Sequence, residues 1–457
     1  MIRITDKHNC CGCSACFSIC PKKCITMQAD SEGFLYPLVN ETDCIDCGLC
    51  EKVCNELHPY DKREPLKVLA AINKDVEVRL KSSSGGIFYI LAEKTISEGG
   101  VVFGARFDEQ WQVGIDYAET MKGVEAFMGS KYVQARMATA YTDAKRFLAE
   151  GRKVLFSGTP CQIAGLHHFL RKQYDNLLTV DIICHGTPSP KVWGMYLDEV
   201  VTAGRKAIND VQFRNKRNGW KAFNFTMEYN KDEQSVSLSS HHQQNHFMRA
   251  FLRDMILRPS CYQCQAKSGR SHSDITIADF WGINTEMPEM DDDKGTGLVL
   301  INTDKGHAAL DWNKINHKET TADIAIGHNP AYFRSAAAHP KRAQFFTRID
   351  ETKSVNDLIV DCLKPTLKQR LGMSISLCKQ LIKRMIRFAI GGKPKISTRP
   401  EITSIPQISQ TAAVASITFR NKHHGWKSYR MEIKIEEGDI IENLGNFTPF
   451  LSCNLAT

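Results

Sequence analysis

The sequence contains no run of eighteen apolar residues, so it offers no candidate for a membrane-spanning helix. Its opening residues, MIRITDKHN, lack the charged-then-apolar pattern of a secretory leader, and the expected location is the cytoplasm. No GxGxxG occurs, which removes the nicotinamide-dinucleotide fingerprint. Nor is there the basic groove interleaved with aromatics that single-stranded nucleic acid requires. The formal net charge of +8 does not alter this. Nine Lys and Arg and no Asp or Glu lie between Lys364 and Lys395, so that segment supplies more than the whole excess and the remainder is near neutral. No nucleic-acid partner is expected. A disulfide framework is missing as well: ten of the seventeen cysteines precede residue 55, whereas a secreted domain spreads its bridges. In a reducing compartment, crowded thiols point to metal.

At 457 residues the chain is long enough for two or three domains. The first is marked by spacing. Cys10-x2-Cys13-x2-Cys16-x3-Cys20-Pro21 recurs as Cys44-x2-Cys47-x2-Cys50-x3-Cys54-Asn55. This is the run of two-cluster bacterial ferredoxins, in which the fourth cysteine of each run binds the other cluster. The pattern assigns Cys10, Cys13, Cys16 and Cys54 to one 4Fe-4S cube, and Cys44, Cys47, Cys50 and Cys20 to its neighbour. Three thiolates spaced by two residues wrap three corners of a cube, and the fourth corner needs a ligand from elsewhere. Pro21 turns the chain away after Cys20. Asn55 replaces the proline in the second run without removing a ligand. Zinc is the alternative for soft thiolates, but it takes two CxxC knuckles per ion and leaves the third and fourth regular sulfurs unexplained. Cys11 and Cys24 fall outside the pattern and read as packing residues.

After the linker HPYDKREPLK the sequence changes character. Ser82, Ser83, Ser84, Gly85 and Gly86 form a loop, residues 87–97 have helical apolar spacing, and GVVFGARF reads as a strand. A small-residue loop opening a helix exposes backbone N–H groups that suit a diphosphate, although an ordinary serine N-cap looks the same. Two strand-loop-helix units follow. KVLFSGTPCQIAGLHHFL predicts a strand to Phe156, a loop from Ser157 to Pro160 and a helix with Pro160 in its first turn. LLTVDIICHGTPSPKVWGMYLDEVV repeats the plan, with Cys184, His185 and Gly186 at the strand's end. Ligands bind at the carboxyl edge of parallel strands, where Cys161 and Cys184 would both stand. Cys261-x2-Cys264 then leads into a predicted strand over 274–280. Alone it reads equally well as a zinc half-site or a pair of core thiols. Yet Cys161, Cys184, Cys261 and Cys264 are the only cysteines between residues 55 and 361, and four thiolates make one more cube.

Together the twin cysteine runs, KSSSGGIF, GSKYVQA, FSGTPCQIAGL, DIICHGTPSP, RPSCYQC and ITIADFWG resemble the coenzyme F420 hydrogenase/dehydrogenase beta-subunit family. The resemblance is to its bacterial form with a fused ferredoxin domain and covers about residues 1–350. It implies FAD in the central domain beside a 4Fe-4S cluster. It further implies that Ser83, Ser84, Gly85, Gly86 and Lys131 hold the flavin, and that Cys161, Cys184, Cys261 and Cys264 bind the third cluster. The expected fold is α+β: a small ferredoxin-like domain over residues 1–60, then a larger α/β flavin-binding domain with a mixed sheet over residues 66–350. Two residues are candidate catalysts. Lys131 would favour the anionic reduced flavin through its charge, and His185 could exchange a proton near neutral pH. Their plainer readings are a surface lysine and a histidine bonded to backbone. Asp279 and Trp281 either orient the cofactor or end a strand and fill the core.

Residues 351–400 hold the basic segment. In LGMSISLCKQLIKRMIRFAI, Leu371, Ile375, Cys378, Ile382, Met385 and Ala389 recur at helical spacing, while Lys379, Lys383 and Arg387 share another side. Core packing with a solvated basic face is favoured over docking of an acidic carrier such as ferredoxin, or over a membrane surface. GGKPKISTRP reads as a linker. FRNKRNGWK at 213–221 returns as FRNKHHGWK at 419–427 with seven of nine positions identical, and both copies suggest strand, turn and strand. No CxxC follows the second copy and Cys453 stands alone, so residues 401–457 read as a partial repeat of the 211–230 hairpin region. The functional alternative has Arg214 and Lys216, with Trp220, contacting an anionic substrate.

The expected function is an iron-sulfur, flavin-dependent oxidoreductase working between a ferredoxin or other redox protein and a small-molecule substrate. The alternative is a flavin-free electron-transfer module serving a partner enzyme. Substrate, direction of flow and oligomeric state are not written in the sequence.

Overall fold

In the computed structural model, which describes residues 1–232, 234–364, 413–421 and 427–435, the cysteine runs flank a hairpin of β1 (Ile25–Ala29) and β2 (Leu35–Val39). Both runs have one local shape. Gly12 and Ser14 in the first, and Asp46 and Gly48 at the equivalent places in the second, all have positive φ. A short helix follows each time, Ala15–Ile19 and Leu49–Lys52. Left-handed residues between cysteines curl the chain around a centre, which an extended CxxC would not do.

Beyond the linker, β3 (Lys67–Asn73) leads to the serine-glycine loop and the helix Ile87–Ser97, and β4 (Val101–Phe107) pairs antiparallel with β5 (Val113–Ala118). β6 (Val154–Gly158) and β7 (Leu177–Ile182) are each followed by a helix, Pro160–Leu170 and Pro190–Val200, that begins on proline. Thr159 and Gln162 close a capping box on the first, and Ser189 caps the second by accepting from Val192 N. β8 (Ile208–Asn215), β9 (Asn224–Lys231) and β10 (Gln234–His241) form a separate antiparallel sheet. β11 (Ile275–Asp279), β12 (Gly297–Ile301) and β13 (Ile315–Thr320) complete the large sheet, whose order is β13-β3-β12-β11-β7-β6-β4-β5.

The middle of that sheet, β11, β7, β6 and β4, is parallel, while β12, β13 and β5 run against it. This is the mixed sheet of an α+β fold, as the sequence indicated. Val101, Val102, Phe103, Leu155 and Phe156 are all fully buried, as strands covered on both faces must be. The smaller sheet joins the helices Pro190–Val200 and His246–Leu252 around Trp193, Phe213, Phe225 and Phe247.

The N-terminal hairpin is keyed into this body. Ser189 Oγ donates to Glu32 O at 2.5 Å, Lys191 Nζ to Ser31 O at 2.7 Å, and Arg342 forks onto the Glu32 carboxylate at 3.0 and 2.5 Å. Gly33 (φ +86) has no room for a side chain, since a Cβ there would lie 2.4 Å from Lys191 Cβ.

Residues 365–457 form a second unit, in which β14 (Ala413–Asn421) pairs antiparallel with β15 (Lys427–Ile435). The amphipathic stretch 371–389, the linker 391–400 and Cys453 lie outside the described residues. Among the described residues, no helix is long and apolar enough to cross a membrane.

Candidate functional site

The curled CxxC turns gather sulfur into two small cavities. Cys10, Cys13, Cys16 and Cys54 line one, and Cys20, Cys44, Cys47 and Cys50 line the other, so each run sends its fourth cysteine across. Two cysteines that spacing set aside join them. Cys11 borders the first cavity and Cys24 the second, its Sγ 3.4 Å from that of Cys20. Backbone N–H groups point at the sulfurs, Ile2 N at Cys50 Sγ (3.3 Å) and Asp46 N at Cys44 Sγ (3.4 Å). Cys47 is exposed, while Cys10, Cys13, Cys16 and Cys50 are buried. Burial pushes the Cys16 thiol up to about 12. Sulfurs so enclosed carry charge only when a cation shares it.

The third group is assembled from the central sheet. Cys161 opens the helix after β6, Cys184 follows β7, and Cys261 and Cys264 lie at the turn Pro259–Gln263. The four sulfurs are close enough to feel one another's charge. Burial drives the Cys184 thiol well up and that of Cys264 to about 12, against the pull of the Lys267 ammonium. That ammonium donates to Cys184 O at 2.5 Å and Ala331 O at 2.7 Å. The group adjoins the first, because the Cys11 thiol lies within reach of both Cys13 and Cys161. Gly165 permits the approach: a Cβ there would lie 3.0 Å from Cys13 Sγ. Among the described residues, no three His, Cys, Asp or Glu side chains are drawn in tightly enough to hold a single ion.

Cys184 also borders a cavity of about 970 Å³ at the carboxyl edge of the parallel strands. Cofactor and small-molecule sites range over roughly 300–1,000 Å³, and this one is at the upper end. One wall is the loop Ser82–Gly86. Ser83 Oγ accepts from Ser130 N (2.7 Å), and Ser84 Oγ donates to Thr296 O (3.0 Å). Gly85 is fixed by space, since a Cβ would lie 2.3 Å from Ala71 O. Ser82 N is turned back onto Val78 O and Arg79 O, which leaves the N–H groups of Ser83 to Gly86 for an anion, at the start of an eleven-residue helix.

Both candidate catalysts border this cavity. Lys131 Nζ donates to Met128 O (3.0 Å) and Gly129 O (3.2 Å), and burial pulls its ammonium down to about 7. His185 Nε2 lies 2.5 Å from Asp254 Oδ1, and its ring meets Phe251 edge-on at 5.5 Å. The Asp254 partner had no signal in the sequence, being 69 residues away.

The FRNKRNGWK residues divide. Lys216 Nζ is outside the cavity wall, donating to Arg79 O (2.9 Å), Ser84 O (2.8 Å) and Lys294 O (2.8 Å), so it braces the serine loop. Trp220 is buried away from the cavity wall, stacked on Trp281 at 5.0 Å, with Nε1 donating to Asp279 Oδ1 at 2.9 Å. Arg214 does border the cavity, with Asp279 and Trp281. It is ion-paired to Asp279 through Nη1, while its Nε and Nη2 find no acceptor beside the Tyr132 hydroxyl.

No curated protein matches the chain. Among solved structures it is similar to a chain of the F420-reducing NiFe hydrogenase complex from Methanosarcina barkeri, with 16% identity and a TM-score of 0.39 over 66% of this chain and 91% of that one. Residues 151–328, which carry Cys161, Cys184, Cys261 and Cys264, match the family described as the C terminus of the coenzyme F420 hydrogenase/dehydrogenase beta subunit, and over this central region the resemblance read from the sequence holds.

Proposed function

We propose that the protein is an iron-sulfur flavoprotein oxidoreductase that passes electrons between a ferredoxin-like donor and a small-molecule substrate. The family match supports redox electron transfer as the class of activity. The observation that carries the finer reading is the sequence of sulfur groups. It starts at exposed Cys47, continues through the Cys10 group and Cys11 to Cys161, and ends at Cys184 on the large cavity.

The donor sets fit the groups proposed. Quartets of free thiols suit 4Fe-4S cubes, held by Cys10, Cys13, Cys16 and Cys54; by Cys20, Cys44, Cys47 and Cys50; and by Cys161, Cys184, Cys261 and Cys264. FAD would rest its diphosphate on the loop of Ser83, Ser84, Gly85 and Gly86, with Lys131 beside it. When bound, these groups supply single-electron transfer and its exchange for two-electron chemistry. The chain supplies the rest. Lys131 offers a positive charge, available below a pH of about 7. His185, anchored at Nε2 by Asp254, keeps Nδ1 to take or yield a proton. Asp279 holds Arg214 in the cavity wall.

Purification without oxygen, with assays of iron, labile sulfide and acid-released flavin, tests this. About twelve irons and one FAD per chain are expected. Iron without flavin would turn the reading to the electron-transfer module, and a colourless or zinc-containing protein would sink both.

A further inference from the structure

Arg79, Arg214 and Arg258 are buried among the described residues, and the first two are ion-paired with Asp292 and Asp279. Arg258 is not. It is 0% exposed. Its Nε donates to Cys10 O (2.7 Å), Nη1 to Gln134 Oε1 (3.0 Å), and Nη2 to Leu35 O (2.9 Å) and to Cys10 Sγ (3.5 Å). The Tyr36 ring covers it at 4.2 Å. Glu56, which borders the same sulfur cavity, acts on it only at longer range. A buried guanidinium needs a counter-charge, and the only hydrogen-bonded atom here able to become negative is Cys10 Sγ.

The backbone is shaped for this contact. Gly12 (φ +72) is enclosed, and a Cβ there would lie 2.9 Å from Arg258 Nη1. Arg258 O also accepts from Cys261 N at 2.9 Å, so one turn carries both this charge and a cysteine of the central group. The group of Cys20, Cys44, Cys47 and Cys50, the outer one because Cys47 is exposed, differs. Its sulfurs are bonded by backbone N–H groups, those of Ile2, Asp46, Lys22, Lys23 and Cys24, and among the described residues by no guanidinium or ammonium. Lys22 and Met1 border that cavity, the Met1 ammonium already paired with Asp46 and Glu51.

Resting on the iron-sulfur reading, we propose that Arg258 is the fixed counter-charge of the cluster held by Cys10, Cys13, Cys16 and Cys54. It makes that cluster the more easily reduced of the two N-terminal ones. Reduction by the donor protein adds one electron and one negative charge. A guanidinium against a ligand sulfur stabilises the reduced form more than the oxidised form. Arg258 is thus a positioning residue, acting through the cluster and not on the substrate.

The test is a reductive titration of the full-length, iron-loaded protein followed by EPR. In the native chain, the N-terminal cluster that survives Cys47→Ser should titrate at the higher potential. Arg258→Gln should lower its reduction equilibrium constant at least tenfold, about 59 mV for one electron, and leave the outer cluster unmoved. Arg258→Lys, which keeps the charge, should lower it less. An unshifted titration in Arg258→Gln with iron retained overturns the proposal. So does a Cys47→Ser protein whose surviving cluster is the lower of the two, a measurement that stands even if the glutamine variant fails to assemble. A native protein without iron or labile sulfide refutes the cluster reading itself.

Discussion

Lys131 and Lys216 both have their ammonium pulled down to about 7 by desolvation, but their surroundings differ. Lys216 has three carbonyl acceptors, which only the charged form can satisfy with three donors. Lys131 has two and keeps a donor free for the cavity. Its depressed folded value means that the folded chain gives up this proton near pH 7, whereas the unfolded chain holds it until the ordinary lysine range. Stability therefore rises with pH across that window, and anion binding moves the other way. FAD affinity should weaken as pH rises from 6 to 9, by up to tenfold per unit above about 7, and Lys131→Met should flatten the curve. Flavin fluorescence quenching reads this, and a level curve in the native protein would remove Lys131 from the site. Gly85 makes a second test at this scale. A methyl group there meets Ala71 O at 2.3 Å, so Gly85→Ala should cost about 1–3 kcal/mol in thermal unfolding, whereas Gly327→Ala, with nothing within 4 Å, should be close to neutral.

At the scale of elements, the hairpin of β8 and β9 is a brace. Its loop ties Ser84 through Lys216 and Asp279 through Trp220, so the serine loop and the end of β11 share one support. Trp220→Ala should cost about 3–5 kcal/mol and loosen FAD, with iron content unchanged. Unaltered chemical denaturation would show that the stack with Trp281 contributes nothing. The hairpin of β14 and β15 closes its ladder nearer the turn, Asn421 facing Lys427, whereas in that of β8 and β9 Asn215 faces Asn224. What the sequence made legible was local. The two proline-opened helices after β6 and β7 follow from caps and apolar runs a few residues apart, and the crossing of Cys54 to the Cys10 group and of Cys20 to the Cys44 group follows from spacing. What it hid depends on distant partners. β3 pairs with β12 and β13, more than two hundred residues on, so those antiparallel pairings had no local signature. Cys10 and Arg258 are separated by 248 residues, and nothing in RPSCYQC marks that arginine as a neighbour of the first cysteine run.

For the whole molecule, the three sulfur groups should be separable by mutation. Cys264→Ala should lower the iron count by about four and break the link to the cavity, leaving the N-terminal absorbance in place. An unchanged count would argue against a third cluster.

The keyed hairpin bears on how such a molecule would work. Ser31, Glu32 and Gly33 are locked against Ser189, Lys191 and Arg342, so the N-terminal lobe is bolted on and cannot swing as a tethered shuttle. A swinging carrier slows as friction with the solvent rises. With the lobe held by these contacts, stopped-flow transfer within one molecule should be indifferent to added glycerol, and viscosity should tell only on the encounter with the donor.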